Sequence, residues 1–272
     1  EIGWCDWSSD VCSSDLNNIS GLGTLFIKEG FATLVAKILY KISQNHPKHI
    51  FFQNNEDHEH FLKLGLVKKE KSSVLPGSGV DTVRFSPREK EQNDGKFVFL
   101  LIARMLKDKG IVEFVKAAEI VKSTHNHCEF QLLGFMDDKN RSAVTHKEMS
   151  EWIEQGNIKY LGSTDSVEKF IAYADCVVLP SYREGTPRSL LEAASMGKPL
   201  ITTDTPGCRN VLIDNENGYF CKVKDAEDLA QKMMKMVELP HDQIKKMGER
   251  SRRLIIEKYD VKLVIWEYLK RV

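Results

Sequence analysis

Two glutamates and two basic residues carry the chemistry that this sequence can do. Glu184 and Glu192 are separated by seven residues in the segment YREGTPRSLLEAASMGKP. Arg104 and Lys109 lie in the segment ARMLKDKG. Carboxylates accept hydrogen bonds from ligand hydroxyls, a guanidinium can grip two phosphate oxygens, and an ammonium supplies a compact charge. These residue types suit a ligand with both hydroxyl and phosphate groups.

The elements around the glutamates form a predicted strand, loop, helix and strand. Apolar residues predict strands at 176–179 and 200–203. Between them a helix is predicted at 187–196, with proline at its first position, Thr186 as its cap, and Gly-Lys-Pro after its end. Glu184 is therefore predicted at the carboxyl end of a parallel strand, where ligands of open α/β sheets bind.

The amino end of this helix offers further binding groups. The first amides of a helix have no partner within it and attract anions. We therefore predict that Gly185, Thr186, Arg188 and Ser189 bind substrate beside the glutamates. The alternative is an ordinary solvated pair of glutamates on a surface helix, but the strand end and the helix cap favour the binding interpretation.

The basic residues lie in a second loop of the same kind. Residues 96–103 predict a strand and the helical spacing of apolar residues resumes at Ile111, so residues 104–110 are predicted to link a strand to a helix. Arg104 and Lys109 would then lie at another carboxyl strand end. Exposed basic residues are often merely solvated, and this is our interpretation of Lys107.

Strands and helices alternate along most of the chain, which predicts a doubly wound parallel sheet. Further strands are predicted at 49–54, 129–134 and 158–162, and further helices at 26–43, 56–64, 142–154, 167–174, 225–237 and 243–259.

Composition narrows the class of protein. At 272 residues the chain can bury one substantial core and part of a second. Its 39 basic and 39 acidic residues balance, which argues against nucleic acid as a partner. The six cysteines have no paired C-x-x-C spacing, which favours a reducing cytoplasm. No apolar run in the sequence is long enough to span a membrane.

The segment DCVVLPSYREGTPRSLLEAASMGKPLITTDTPGCRNVLIDNENG, residues 175–218, resembles the signature of the retaining family 4 glycosyltransferases. The similarity extends over about residues 50–272, with several separated motifs in the family's order. It implies an α/β fold of GT-B architecture, with one complete Rossmann-like doubly wound parallel-sheet domain and the C-terminal remnant of a first Rossmann-like domain.

The resemblance also implies a division of the chain. Residues 1–16 have no core periodicity and are excluded as a non-native segment. The remaining parts are the acceptor-side remnant at 17–80, a linker at 81–95, the donor-binding domain at 96–260, and a terminal helix at 261–272. This last helix would cross back to the first domain, with Trp266 and Tyr268 as packing residues.

Family roles can be transferred to matching positions. Glu184 would contact the donor sugar hydroxyls and Glu192 the ribose, while Arg104 and Lys109 would hold the diphosphate. Catalytic roles thus fall on Glu184, Arg104 and Lys109. Backbone atoms near the nucleotide base are predicted at Leu161 and Ser163.

The implied activity is transfer of a sugar, an N-acetylhexosamine, from a UDP-sugar to a saccharide or undecaprenyl-diphosphate-linked acceptor with retention of configuration. No cofactor or metal is expected, because the sequence has no D-x-D motif. The location would be cytoplasmic. The apolar face of the lysine-bordered helix at 26–43 suits either peripheral contact with the inner face of the plasma membrane or core packing against a sheet. The alternatives are an isomerase or hydrolase like UDP-N-acetylglucosamine 2-epimerase, or a catalytically silent nucleotide-sugar-binding fragment. The fragment alone is expected to be inactive.

Overall fold

The computed structural model describes residues 16–20, 31–44, 47–90 and 95–271, and these form two parallel β-sheets flanked by helices. The strands are β1 (Leu16–Ile19), β2 (His49–Phe52), β3 (Ser72–Val74), β4 (Phe97–Ile102), β5 (Cys128–Leu133), β6 (Lys159–Tyr160), β7 (Cys176–Leu179), β8 (Leu200–Thr203) and β9 (Gly218–Cys221). The helices are α1 (Phe31–Ser43), α2 (Asn55–Lys63), α3 (Ile111–Lys122), α4 (His146–Glu154), α5 (Val167–Tyr173), α6 (Arg188–Ser195), α7 (Ala226–Val237), α8 (His241–Lys258) and α9 (Val261–Leu269).

The larger sheet has the strand order β6-β5-β4-β7-β8-β9, and every pairing is parallel. Numbered within this sheet, the order is 3-2-1-4-5-6, that of a doubly wound Rossmann-like domain. The predicted fold class is confirmed. The chain leaves the two central strands, β4 and β7, toward opposite edges of the sheet, so a crevice opens between the loops at their carboxyl ends.

Both faces of this sheet are buried, which explains the continuous apolar runs of its strands. Side chains alternate between the faces, so Val98 and Leu100 join one core while Phe99 and Leu101 join the other. Residues of α3 and α7 cover the face with Phe99 and Leu101. Residues of α6 and α8 cover the face with Val98 and Leu100. The central strands are thereby held rigidly, and their ends can position loops.

The smaller sheet has the order β1-β2-β3 and packs against α2 on one face and α9 on the other. Val264 of α9 contacts Phe51 and Leu75, and the Tyr268 ring lies 4.7 Å from that of Phe51. The prediction that Trp266 packs in the same way is wrong, since this residue is 60% exposed. Its position on α9 faces away from the apolar contact.

Two further predictions need correction. Thr186 does not cap α6; Pro187 occupies the N-cap position, and the Thr186 hydroxyl instead donates to the Gln53 carbonyl at 2.9 Å. Leu16, which was excluded from the fold, is the first residue of β1 and pairs with His49. The rest of the excluded segment and the first part of the helix predicted at 26–43 lie outside the described residues.

Candidate active site

The loops that follow β4 and β7 are fastened to each other at the crevice. The backbone carbonyl of Asp108 accepts hydrogen bonds from the Ser181 hydroxyl at 3.2 Å and from the Tyr182 amide at 2.9 Å. Gly110 has a φ of 74°, and a Cβ there would lie 2.2 Å from the Pro180 carbonyl oxygen. Only glycine allows this backbone approach, so the sequence itself fixes the basic loop against the end of β7.

This fastening brings Lys109 and Glu184 into direct contact. The Lys109 Nζ lies 2.6 Å from Glu184 Oε1, and the two side chains are only 18% and 14% exposed. The residues are 75 positions apart in the chain. The two groups are largely enclosed at the mouth of the crevice. There the ammonium can hold a phosphate oxygen and the carboxylate a sugar hydroxyl, side by side.

The other basic residues of the loop have different surroundings. The Arg104 guanidinium is 49% exposed and lies 3.2 Å from Asp137, so it is on the same sheet edge but is directed to that carboxylate. Lys107 is 45% exposed and lies 2.8 Å from Glu148. The interpretation of Lys107 as merely solvated is therefore wrong. Its hydrogen bond is the main reason why the pKa of Glu148 falls to about 2.

Glu192 lies deeper than Glu184 and has a different environment. Its side chain is 8% exposed, and its Oε1 accepts a hydrogen bond from Arg188 Nε at 2.8 Å. Burial raises the pKa of the Glu192 carboxyl, although Arg188 acts in the opposite direction. Arg84 and Glu168 also act electrostatically on Glu192.

The sequence does not single out Arg84, because one arginine in a linker has no distinguishing spacing. It reaches the loop between β6 and α5, where it donates to the Asp165 carbonyl at 2.8 Å and lies 3.2 Å from Glu168. The predicted base-binding residue Ser163 is exposed in this same loop. Leu161 directly follows β6, with its amide donating to the Leu132 carbonyl at 2.9 Å and its side chain packed on the core.

The remaining predicted residues lie around the start of α6. Arg188 is exposed and Ser189 is half-buried on the first turn. Gly185 and Thr186 lie against the loops that follow β1 and β2, so these two residues bridge the two sheets. The crevice is thus closed on one side by the smaller sheet.

The sequence matches a known protein family. Residues 83–254 match the family model described as glycosyl transferases group 1. The chain belongs to the glycosyl transferases group 1 family. The matched region contains β4 to β9, so it includes both loops of the crevice.

Relatives within this family include enzymes named for lipid-linked sugar acceptors. The chain is 31% identical over 267 residues to a Campylobacter jejuni protein named N,N'-diacetylbacillosaminyl-diphospho-undecaprenol alpha-1,3-N-acetylgalactosaminyltransferase, covering 93% of this chain and 68% of that protein. It is 26% identical to an Escherichia coli protein named UDP-Gal:alpha-D-GlcNAc-diphosphoundecaprenol alpha-1,3-galactosyltransferase, covering 68% of this chain and 50% of that protein. The chain thus spans between half and about two thirds of these relatives.

Solved structures of glycosyltransferases share the fold. The Anabaena protein HepE, solved in complex with UDP and glucose, aligns with a TM-score of 0.80 at 16% identity, covering 94% of this chain and 71% of HepE. The C-terminal domain of the Francisella tularensis protein LpcC aligns with a TM-score of 0.59 at 23% identity, covering 67% of this chain and 99% of that domain. The expected GT-B architecture is confirmed for this member of the family.

The environment of Glu192 makes its contribution to ligand binding testable. If its carboxylate accepts hydrogen bonds from a ribose, Glu192→Ala should weaken UDP binding about tenfold, as expected for hydrogen bonds to a charged group. Because the pKa of Glu192 is raised by burial, the ionised acceptor is lost as the pH falls through that raised value. Calorimetry from pH 8 down to pH 4 should therefore show UDP affinity falling toward that of Glu192→Ala. Equal affinities of the two proteins at every pH would exclude this role.

Proposed function

We propose that this chain is the donor-binding part of a retaining glycosyltransferase that transfers an N-acetylhexosamine from a UDP-sugar to an undecaprenyl-diphosphate-linked saccharide. The contact between Lys109 and Glu184 at the crevice of the Rossmann-like sheet carries this proposal, because an ammonium suited to a phosphate oxygen lies beside a carboxylate suited to a sugar hydroxyl. The names of the Campylobacter and Escherichia relatives, and the UDP in the HepE structure, support the choice of donor and acceptor.

In this mechanism the residues of the crevice divide the donor between them. Glu192 and the nearby Arg84 hold the nucleoside, Lys109 and Arg104 hold the diphosphate, and Glu184 holds the sugar. The bond between the anomeric carbon and the phosphate oxygen breaks as the acceptor oxygen bonds to that carbon from the same face. The acceptor proton passes to the leaving phosphate. Lys109, Arg104 and the first amides of α6 stabilise the negative charge that develops there.

We expect this chemistry to proceed without a metal ion. The diphosphate charge would be balanced by Lys109, Arg104 and the amino end of α6, and the sequence contains no D-x-D segment. Donor binding should accordingly be the same in buffer containing EDTA and in buffer containing magnesium or manganese ions.

Product analysis distinguishes the proposed transfer from the two alternatives. The complete enzyme, of which this chain is the proposed donor-binding part, should convert a radiolabelled UDP-N-acetylhexosamine and an undecaprenyl-diphosphate-linked saccharide to a labelled lipid, and this product should form only when acceptor is present. An epimerase-like isomerase would convert the donor sugar without acceptor, and a silent fragment would bind the donor and leave it unchanged. Either of these two results would contradict the proposal.

A lipid-linked acceptor requires an approach to a membrane, and α1 offers a surface for this. Four of its large apolar side chains are 52–60% exposed, and they are Leu34, Ile38, Leu39 and Ile42. Lys37 and Lys41 lie on the same helix, and lysines beside an apolar stripe favour an anionic bilayer surface. Among the residues with described structure, no helix has both the length and the apolar character to span a bilayer. Peripheral contact on the cytoplasmic face of the plasma membrane is therefore part of the proposal.

The double substitution of Leu39 and Ile42 by glutamate should abolish co-sedimentation of the chain with phosphatidylglycerol vesicles while leaving UDP binding intact. Ile153→Glu is a suitable control, because Ile153 is 44% exposed on a different helix. If the double variant sediments with vesicles as strongly as the unmodified chain does, α1 is not the membrane contact.

A further inference from the structure

Three of the four residues at 183–186 attach the loop that carries Glu184 to the segment that follows β2. Arg183 forms an ion pair with Asp57, the carbonyl of Gly185 accepts from Asn54 Nδ2 at 3.1 Å, and the Thr186 hydroxyl donates to the Gln53 carbonyl. Glu184 alone faces the other way, toward Lys109. The short segment at 53–57, which joins β2 to α2, therefore holds the chain on both sides of Glu184.

Asp57 is the centre of this attachment. It is 1% exposed, and each of its carboxylate oxygens has a partner: Oδ1 accepts from Arg183 and Oδ2 accepts from Asn54 Nδ2 at 3.0 Å. Asn54 is also 1% exposed, and its Oδ1 caps α2 through the Asp57 amide at 2.8 Å. A buried carboxylate with a partner on each oxygen fixes the direction of the Arg183 side chain, although the Arg183 Nε is itself buried without a hydrogen-bond partner among the described residues.

Backbone contact adds to these bonds. A Cβ on Gly185 would lie 1.7 Å from the carbonyl oxygen of Ser20, which follows β1. On the other side, a Cβ on Gly207 would lie 2.2 Å from the Gly185 carbonyl oxygen, and Gly207 has a φ of 82°. The Glu184 loop is thus enclosed between the smaller sheet and the loop after β8, and its position depends on both.

We propose that Asp57, with Asn54 and Arg183, is a positioning group that sets the Glu184 carboxylate against the donor sugar. This inference rests on the proposed function, and none of the three residues needs to touch the donor. Because the group joins the two sheets, the sugar would be held correctly only when the smaller sheet lies against the donor-binding domain. The nucleotide half of the donor, bound by Glu192 and Lys109, would not depend on it.

The test compares the affinities of the chain for UDP-N-acetylgalactosamine and for UDP by calorimetry. Asp57→Asn should weaken binding of the UDP-sugar about tenfold, an effect within the range of couplings between contacting groups. The same substitution should change binding of UDP less than about twofold. Glu56→Gln is the matched control. Glu56 is the neighbouring residue on α2, and it also reaches across to the larger domain at Arg209, but this 3.5 Å pair is exposed. The control should leave both affinities unchanged.

A double-substitution cycle separates positioning from a general structural effect. In the Glu184→Gln background, Asp57→Asn should cause no further loss of UDP-sugar affinity, since its effect passes through Glu184. Additive losses, or a loss of UDP affinity equal to that of UDP-sugar, would overturn the inference. If Asp57→Asn fails to fold, Thr186→Val removes only one hydroxyl hydrogen bond and should produce a smaller loss with the same selectivity for the sugar.

Failure of this inference is distinguishable from failure of the proposed function. If the unmodified chain binds neither UDP nor UDP-N-acetylgalactosamine, the proposed function is wrong. If it binds both and Asp57→Asn has the same ratio of affinities as the unmodified chain, the donor site stands and the positioning role is wrong.

Discussion

Lys109→Met in the complete enzyme is expected to lower the rate of UDP release from a UDP-sugar by about 100- to 1000-fold, the range for removing one group that stabilises transition-state charge. The Lys109 ammonium lies at the crevice and is only 18% exposed, so water cannot readily replace its charge. Negative charge grows on the leaving diphosphate as the bond to the sugar breaks. The loss should therefore appear mainly in kcat, measured by a coupled assay for UDP.

Lys107→Met is the matched control for this substitution. Both lysines belong to the same short 3-10 helix, but Lys107 is 45% exposed and pairs with Glu148. Exposed ion pairs contribute about 0–1 kcal/mol, so this variant should keep nearly all of its turnover. Equal losses in the two variants would show that the loop matters only as a folded unit and that Lys109 has no particular role.

Glu184→Gln is expected to have the second large effect, and it should be selective for the sugar. A carboxylate that accepts hydrogen bonds from sugar hydroxyls contributes about 1.5–3 kcal/mol, which corresponds to about 10- to 150-fold in affinity for a UDP-sugar. The glutamine side chain has the same shape as the glutamate, but it carries no charge. The Lys109 ammonium therefore loses its ion-pair partner. Calorimetry should show weaker UDP-sugar binding with UDP affinity nearly unchanged.

The control for this variant is Glu216→Gln, because Glu216 forms an ion pair with Arg250 on the surface, with both side chains about half exposed. It should change neither affinity. If Glu184→Gln weakens UDP and UDP-sugar to the same extent, Glu184 supports the site as a whole and does not contact the sugar.

Local sequence signals were sufficient for most of the larger domain. Glycines and prolines at the ends of apolar runs placed β4, β7 and α6 close to their observed positions, and the alternation of strands and helices predicted the parallel sheet. Once β4 and β7 are neighbours, the loops at their carboxyl ends must meet. The sequence therefore predicts that Lys109 and Glu184 lie near each other.

Contacts between distant segments could not be predicted in this way. Arg183 and Asp57 are 126 positions apart, and neither has spacing that links it to the other. Thr186 was predicted as the helix cap because local preference favours threonine there, but α6 begins at Arg188 with Pro187 at the N-cap position, and the Thr186 hydroxyl donates to the Gln53 carbonyl. Trp266 was predicted to pack because it is apolar, yet the orientation of α9 leaves it exposed. Tertiary packing decides such cases.

The most direct test of the central claim compares UDP with uridine. In calorimetry, the double variant Arg104→Met with Lys109→Met should bind UDP about 100-fold more weakly, because charge-assisted hydrogen bonds to the diphosphate are lost. Its affinity for uridine should stay within about twofold of that of the unmodified chain, because uridine has no phosphate for these residues to hold. If the two ligands lose affinity equally, the basic loop does not hold the diphosphate, and the claim that it shares one sugar-diphosphate site with Glu184 is wrong.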